Sequence, residues 1–262
     1  MTDAPLLEVR NLTRRYKLPR QSLLRRAPVL TALEGAGFSL RPGETLGVVG
    51  ESGSGKSTLA RLIMAFERPD AGEVLFNGSD LHALSSEELR GLRRGFQMVF
   101  QDPFGSLNPR RRIGWSIAEP LRANGEETQV TYRVAEALEQ VGLHPADAGK
   151  YPHEFSGGQR QRIAIARAII TKPALLVADE AVSALDVSVQ AQILNLLMDL
   201  QDDLGLGMVF ISHDLAVVAS ICDRVLVLQH GKTLESGPAA DVLRAPEHPY
   251  TKTLLKAAGA HT

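Results

Sequence analysis

Gly50-Glu51-Ser52-Gly53-Ser54-Gly55-Lys56-Ser57 stands between an apolar run at 45–49 and a segment of helical patterning at 57–66. The eight residues fit G-x-x-x-x-G-K-[ST] with nothing left over. Glycines let successive backbone N–H groups turn inward and cradle phosphate oxygens. The helix start behind them adds unpaired donors and about half a positive charge. Lys56 is placed to bind β- and γ-phosphates. Ser57 offers a hydroxyl to Mg²⁺, an ion that prefers oxygen ligands. The loop therefore reads as a nucleoside triphosphate site, but it does not separate a kinase from a GTPase, a motor or a transporter.

Working outward, 7–12 and 36–40 read as strands, and Arg41-Pro42-Gly43-Glu44 as a turn. The helix at 57–66 is stopped by Arg68-Pro69-Asp70. Residues 73–76 followed by Asn77-Gly78 look like a hairpin edge, and 97–100 like a further strand. Residues 115–145 look helical, with Val134, Ala137, Leu138 and Val141 in a 3-4-3 spacing. From Gly157 helices (159–170, 187–204, 215–222) alternate with strands (174–178, 207–211, 224–228). Such alternation implies a parallel sheet covered on both faces. The helix-only block at about 102–155 interrupts it as an insert.

The strand at 174–178 ends in Asp179-Glu180. Ligands of open α/β sheets gather at the carboxyl ends of strands, so these acids belong to the phosphate site. Adjacent strand residues point to opposite faces, which allows two roles: Asp179 on Mg²⁺, Glu180 as general base toward the attacking water. Ser156-Gly157-Gly158-Gln159 opens the next helix back. Ser156 is a good N-cap type, and the exposed helix start is a second anion site by the same physics. Whether that site serves the same nucleotide or one held by another copy is left open by the residues alone.

Taken together these motifs resemble the ATP-binding subunit of an ABC transporter, over nearly the whole chain. The order is Walker A at 50–57, the Q-loop at Gln101, the signature at 156–159, Walker B at 174–179 with Glu180, the D-loop at Ser183-Ala184-Leu185-Asp186 and the switch at His213. Phe155 stands where the family signature usually has Leu, an apolar exchange that should keep the packing. The resemblance implies an α/β P-loop NTPase (RecA-like) core with an N-terminal antiparallel β subdomain and an inserted α-helical subdomain. Residues 1–101 would be the first half of the core, 102–158 the helical subdomain, 159–236 the second half and 237–262 a C-terminal extension.

The resemblance also implies ATP and Mg²⁺ as cofactors and a head-to-tail dimer with a second, homologous ATPase subunit, as a heterodimer. Tyr16 and residues Gly50, Glu51, Ser52, Gly53, Ser54, Gly55, Lys56, Ser57 and Thr58 would bind nucleotide, with Tyr16 stacking on adenine. Ser156, Gly157, Gly158, Gln159 and Asp186 would face the partner's nucleotide. Glu180, His213 and Gln101 would be catalytic, and Ser57, Gln101 and Asp179 would meet the metal. Residues 97–109, 151–155, 179–186 and the tail Pro246-Glu247-His248-Pro249-Tyr250-Thr251 are similar to the dipeptide, oligopeptide and nickel importer branch, as the second ATPase of its pair. That branch implies two transmembrane permease subunits and an extracytoplasmic substrate-binding protein, with this chain peripheral on the cytoplasmic face of the inner membrane. Phe104 and Trp115 are candidate contacts to the permease, Trp115 equally a core residue. The tail histidines read as turn and packing residues rather than metal ligands.

Composition narrows the alternatives. The 262 residues are 44% hydrophobic and 23% charged, ordinary globular usage that excludes a disordered or collagen-like chain. The 29 Lys and Arg against 30 Asp and Glu leave a net charge of −1, so no global field points to nucleic acid. That weighs against a DNA-repair or ribosome-linked ATPase of the same family, as does an insert too short for a long coiled coil. A regulatory module without turnover is disfavoured because Glu180 and His213 fill both hydrolytic positions. An exporter is disfavoured by the branch resemblance.

The one cysteine, Cys222, rules out an intrachain disulfide and a cysteine-held iron–sulfur cluster and points to a reducing compartment. No apolar run nears the roughly 18 residues of a membrane span, and the first residues lack a signal-peptide layout. Arg10, Arg14, Arg15, Lys17, Arg20, Arg25 and Arg26 form a basic stretch. Its second half, bracketed by Pro19 and Pro28, reads as a solvated loop.

Overall fold

The computed structural model describes residues 4–20 and 27–257, excepting the side chains of 103 and 104, so Arg25, Arg26 and the ring of Phe104 lie outside the described residues. The chain forms two compact units, residues 1–84 with 210–262, and residues 85–209.

The first unit opens with β1 (Leu7–Lys17), β2 (Val29–Leu40), β3 (Thr45–Val49), α1 (Lys56–Ile63), β4 (Ala71–Phe76) and β5 (Ser79–Asp80). The second holds α2 (Ser86–Leu92), β6 (Phe96–Val99), α3 (Pro103–Ser106), α4 (Ile113–Ile117), α5 (Glu119–Ala123), α6 (Val130–Gln140), α7 (Gly157–Ile169), β7 (Leu175–Asp179) and α8 (Val187–Leu204). β8 (Gly207–Ile211) leads back into the first unit, which ends with α9 (Leu215–Ile221), β9 (Arg224–Gln229), β10 (Lys232–Pro238), α10 (Ala239–Arg244) and α11 (Pro249–Ala257).

Within the first unit β2, β1, β4 and β5 make an antiparallel sheet, with Leu7 opposite both Leu40 and Phe76. β1 is longer than the sequence indicated. It runs on past residue 12 to take in Arg14, Arg15 and Lys17, the first half of the basic stretch, and Arg14 reaches Glu67 at 3.3 Å and Asp70 at 3.8 Å. Asn77-Gly78 closes the β4–β5 hairpin with φ of 48° and 78°, the two positive values that a tight hairpin turn of matching twist requires.

The expected parallel pairing is present in each unit. β3 runs parallel to β9 (Leu46 to Arg224), and β6 runs parallel to β7 (Phe96 to Leu175). Every residue of β3 and β8 is buried, as continuous apolar runs covered on both faces should be. α8 spans the predicted residues and buries Ile193, Leu194, Leu196, Leu197 and Leu200 on one face. α6 buries Val134, Ala137 and Leu138 at the spacing read from the sequence. Phe155 is buried, as its apolar exchange anticipated.

Four elements were not read from the sequence. α2 is opened by a capping box in which Ser85 Oγ accepts from Glu88 N and Glu88 accepts from Ser85 N. β10 folds back on β9 through His230-Gly231, whose φ values are 47° and 80°. α10 and α11 follow it. α1 ends at Ile63 rather than at 66, because Ala65 turns to φ 50° and the N–H of Phe66 returns to the Arg61 carbonyl. No helix among the described residues is long and apolar enough to cross a membrane.

Gly47, mid-β3, meets α9 at close range. A Cβ there would lie 2.6 Å from Val218 Cγ1 and 2.9 Å from Cys222 Sγ. Gly47→Ala should therefore overpack this contact and destabilise the chain by roughly 1–3 kcal/mol. Chemical denaturation measures it, and an unchanged midpoint would show that α9 yields freely.

Candidate functional site

The loop between β3 and α1 takes its shape from close backbone approaches. A Cβ on Gly50 (φ 153°) would lie 2.2 Å from the Leu228 carbonyl oxygen, and one on Gly55 (φ 112°) 2.5 Å from that of Ala32. Only glycine fits either place. The Lys56 side chain is 5% exposed, and its Nζ donates to the carbonyls of Gly50 (2.7 Å) and Glu51 (2.9 Å). Ser54 N donates to Glu51 O at 3.1 Å, and Gly231 N to Ser54 O at 2.9 Å. The Ser54 hydroxyl is buried and has no hydrogen-bond partner among the described residues. Ser52, Gly53 and Ser57 are exposed, with Thr58 half-buried in the first turn of α1. Glycine turns, a buried lysine and the start of α1 thus meet in one loop, a combination suited to a polyphosphate.

Two other predicted residues lie in the first unit. His213 is exposed between β8 and α9. Ser212 N donates to Val48 O (3.2 Å), and Asp214 caps α9 by accepting from Ala216 N (2.9 Å) and Val217 N (3.3 Å). Tyr16, on β1, donates its hydroxyl to Glu67 Oε2 at 2.6 Å, and the Arg14 guanidinium stands 4.8 Å from its ring centre. The Tyr16 hydroxyl, with Arg61 and Arg14, outweighs burial and holds the Glu67 carboxyl below its usual range. One cation thus stands against the Tyr16 ring while its hydroxyl is tied to Glu67.

In the second unit β7 ends at Asp179, and Glu180 turns sharply with φ 48°. For a residue with a Cβ this left-handed conformation costs about 1–3 kcal/mol and is typical of functional turns. Ser183 holds the turn: its N–H and hydroxyl both donate to the Glu180 carbonyl, at 3.2 and 3.0 Å. Gln101, just past β6, donates its amide to Glu180 Oε2 at 2.9 Å and meets Ser183 Oγ at 3.4 Å. The three predicted catalytic types therefore divide: Gln101 and Glu180 meet, while His213 belongs to the other unit. Ser183 was named only as part of a motif, and its bridging hydroxyl has no signature in the sequence.

Ser156 caps α7 as predicted, accepting from Gln159 N (3.3 Å) while Gln159 Oε1 accepts from Ser156 N (3.0 Å). Its hydroxyl proton remains available to donate. Gly157 is exposed, but a Cβ on Gly158 would lie 2.4 Å from Val189 Cγ1, so Gly158 also lets α7 approach α8. Asp186 precedes α8 without capping it, and Val187 beside it is 84% exposed. Trp115 is not in the core. It is partly exposed, with Arg111 and Arg122 at 4.8 and 5.5 Å from its ring. Cys222 is buried, which pushes its thiol pKa well up and leaves it inert. His248 Nδ1 accepts from Tyr250 N at 3.1 Å, a turn contact of the kind read for the tail.

The ABC transporter family model matches residues 33–183. The chain belongs to the ABC transporter family. Among curated proteins, the glutathione import ATP-binding protein GsiA of Escherichia coli O157:H7 is 52% identical over 255 residues, covering 97% of this chain and 41% of that protein. GsiA of Salmonella paratyphi A is 51% identical over the same coverage. The chain thus spans about two fifths of the length of these relatives, 41%. Among solved structures, the ATP-binding cassette MJ0796, a dimer in a post-hydrolysis state with ADP and Pi, superposes with a TM-score of 0.77 at 28% identity, covering 89% of this chain and 98% of that one. CbiO1 of Clostridium perfringens, part of the transporter complex cbiONQ, gives 0.76 at 26% identity, covering 93% and 97%. The fold of this ABC chain is that of these cassettes.

Removing the Lys56 ammonium takes charge-assisted bonds from bound phosphate, each worth about 1.5–3 kcal/mol. Lys56→Ala should weaken ATP binding by roughly 10- to 100-fold. Titration calorimetry decides it, and wild-type affinity would refute the phosphate-loop role.

Proposed function

We propose that this chain is the ATP-hydrolysing subunit of an ABC importer for peptides or a related small solute. The observation that carries the reading is the Gln101 amide on the Glu180 carboxylate at 2.9 Å, at the end of a strand and on a turn braced by Ser183. A neutral donor held on the carboxylate in this way fixes its aim, as a general base requires.

In this reading Lys56 and the loop N–H groups hold the β- and γ-phosphates, and Tyr16 stacks on adenine. Glu180 accepts a proton from water as the water oxygen attacks the γ-phosphorus, and the β–γ bridging oxygen leaves with ADP. His213 donates to the γ-phosphate, and Gln101 aims the water. Ser57 in the first unit carries a hydroxyl, and Asp179 and Gln101 in the second carry a carboxylate and an amide oxygen; each is donor chemistry that Mg²⁺ takes alongside water and substrate phosphates, and each would be a ligand when the ion is bound. The ion would neutralise phosphate charge during transfer.

Ser156, Gly157, Gly158, Gln159 and Asp186 would cap the nucleotide of a second ATPase subunit docked head-to-tail. The spare proton on Ser156, the open Gly157 and the exposed Val187 beside Asp186 support that surface. A heterodimer, two permease subunits, a substrate-binding protein and a peripheral place on the cytoplasmic face of the inner membrane complete the reading. Trp115 is a candidate permease contact within the helical block 102–158. Identity of 52% with glutathione import ATP-binding proteins supports a peptide-like cargo. Co-purification from the native host, followed by identification of the bound permease and binding protein, tests the cargo class.

Glu180→Gln keeps the hydrogen-bonding shape and removes the base. It should retain ATP binding, accumulate a closed dimer on size exclusion and lose turnover by about 10²–10⁴-fold; near-normal turnover would sink the base assignment. Ser156→Arg should block hydrolysis at the partner's site in mixed dimers. Loss confined to the mutant's own phosphate loop would overturn the head-to-tail model.

A further inference from the structure

The tail motif at 246–251 has no part in the mechanism above, yet it reaches the phosphate loop. Tyr250, in the first turn of α11, is 8% exposed, and its hydroxyl accepts the backbone N–H of Glu51 at 3.2 Å. Glu51 is the residue whose carbonyl receives Lys56 Nζ at 2.9 Å and Ser54 N at 3.1 Å. Its N–H is thus held by the tail and its C=O by the lysine. Rotation of the peptide before Glu51 would break the first bond and turn the Gly50 carbonyl, the other acceptor of Lys56, away.

The tail is itself anchored. Tyr250 N donates to His248 Nδ1 at 3.1 Å, and the N–H groups of Glu247 and His248 donate to the two carboxylate oxygens of Glu235 on β10, at 2.8 and 3.1 Å. Pro249 starts α11 with φ already fixed and no N–H to satisfy. Glu235, His248 and Pro249 together fix where the phenol hydroxyl stands.

The geometry points to Tyr250 as a positioning residue for the phosphate loop: its hydroxyl fixes the Glu51 peptide and so the carbonyls that hold Lys56. It touches no substrate and acts through the loop. The inference rests on the phosphate-loop reading of residues 50–57 and extends it to a tail that reading did not need.

Tyr250→Phe keeps the ring and removes the acceptor. In the full chain it should weaken ATP binding by roughly 3- to 10-fold, the effect of one ordinary neutral hydrogen bond, with turnover at saturating ATP retained. Without nucleotide, amide hydrogen exchange should speed up across 50–57 while α11 keeps its protection. Lys56→Ala, measured alongside, is the reference. Wild-type ATP affinity in Tyr250→Phe, with Lys56→Ala impaired, overturns the inference alone. Loss of protection in α11 together with the loop overturns it as well, because Tyr250 would then be a packing residue. Undiminished ATP binding by Lys56→Ala overturns the phosphate-loop reading and this inference with it.

Discussion

A lysine ammonium buried beside glycine-rich backbone must find acceptors, because an unpaired charge away from water is too costly to keep. In this chain Lys56 finds the carbonyls of Gly50 and Glu51, the first two residues of its own loop. That ring of contacts makes the loop a closed cradle, and much of the first unit serves it. Leu228 on β9 and Ala32 on β2 approach so closely that only glycine fits at 50 and 55, and Gly231 donates to the Ser54 carbonyl from the β9–β10 turn. A cradle whose backbone is already bonded in this way needs less ordering when a ligand binds.

The two ends of the chemistry use different physics. The phosphate loop relies on unstrained close packing and glycine. Glu180 instead occupies a left-handed turn, tied by Ser183 and aimed by Gln101. Strain of this sort persists only where neighbours over-determine it. Gly158 joins both styles: it lies in the exposed start of α7, and its missing Cβ admits Val189.

What could be read from the sequence was what is local. The apolar runs of β3 and β8 and the stripe of α8 were read at their observed limits, because burial on both faces or on one stripe leaves a periodic mark. Asn77-Gly78 announced its hairpin, whereas His230-Gly231 makes the same turn with histidine in place of the usual Asn or Asp and passed unread. The capping box at Ser85 and Glu88 was written in the sequence but lay outside any apolar pattern. The motif residues of the site were equally legible. Their partners were not: Tyr16 with Glu67, Gln101 with Glu180 and Glu51 with Tyr250 join residues 51, 79 and 199 positions apart, and no spacing rule links them.

The bond from Glu51 to Tyr250 has a consequence for how the chain is made. Its two ends are 199 residues apart. At about 5–20 residues per second, a ribosome finishes the first roughly 10–40 s before the second. The phosphate loop therefore leaves the ribosome without the residues that brace it, and Gly231 and Tyr250 join it only near the end of this stretch of synthesis. During that interval the nascent chain carries the nucleotide motif without its finished geometry, and the last increment of its grip on ATP arrives with the tail.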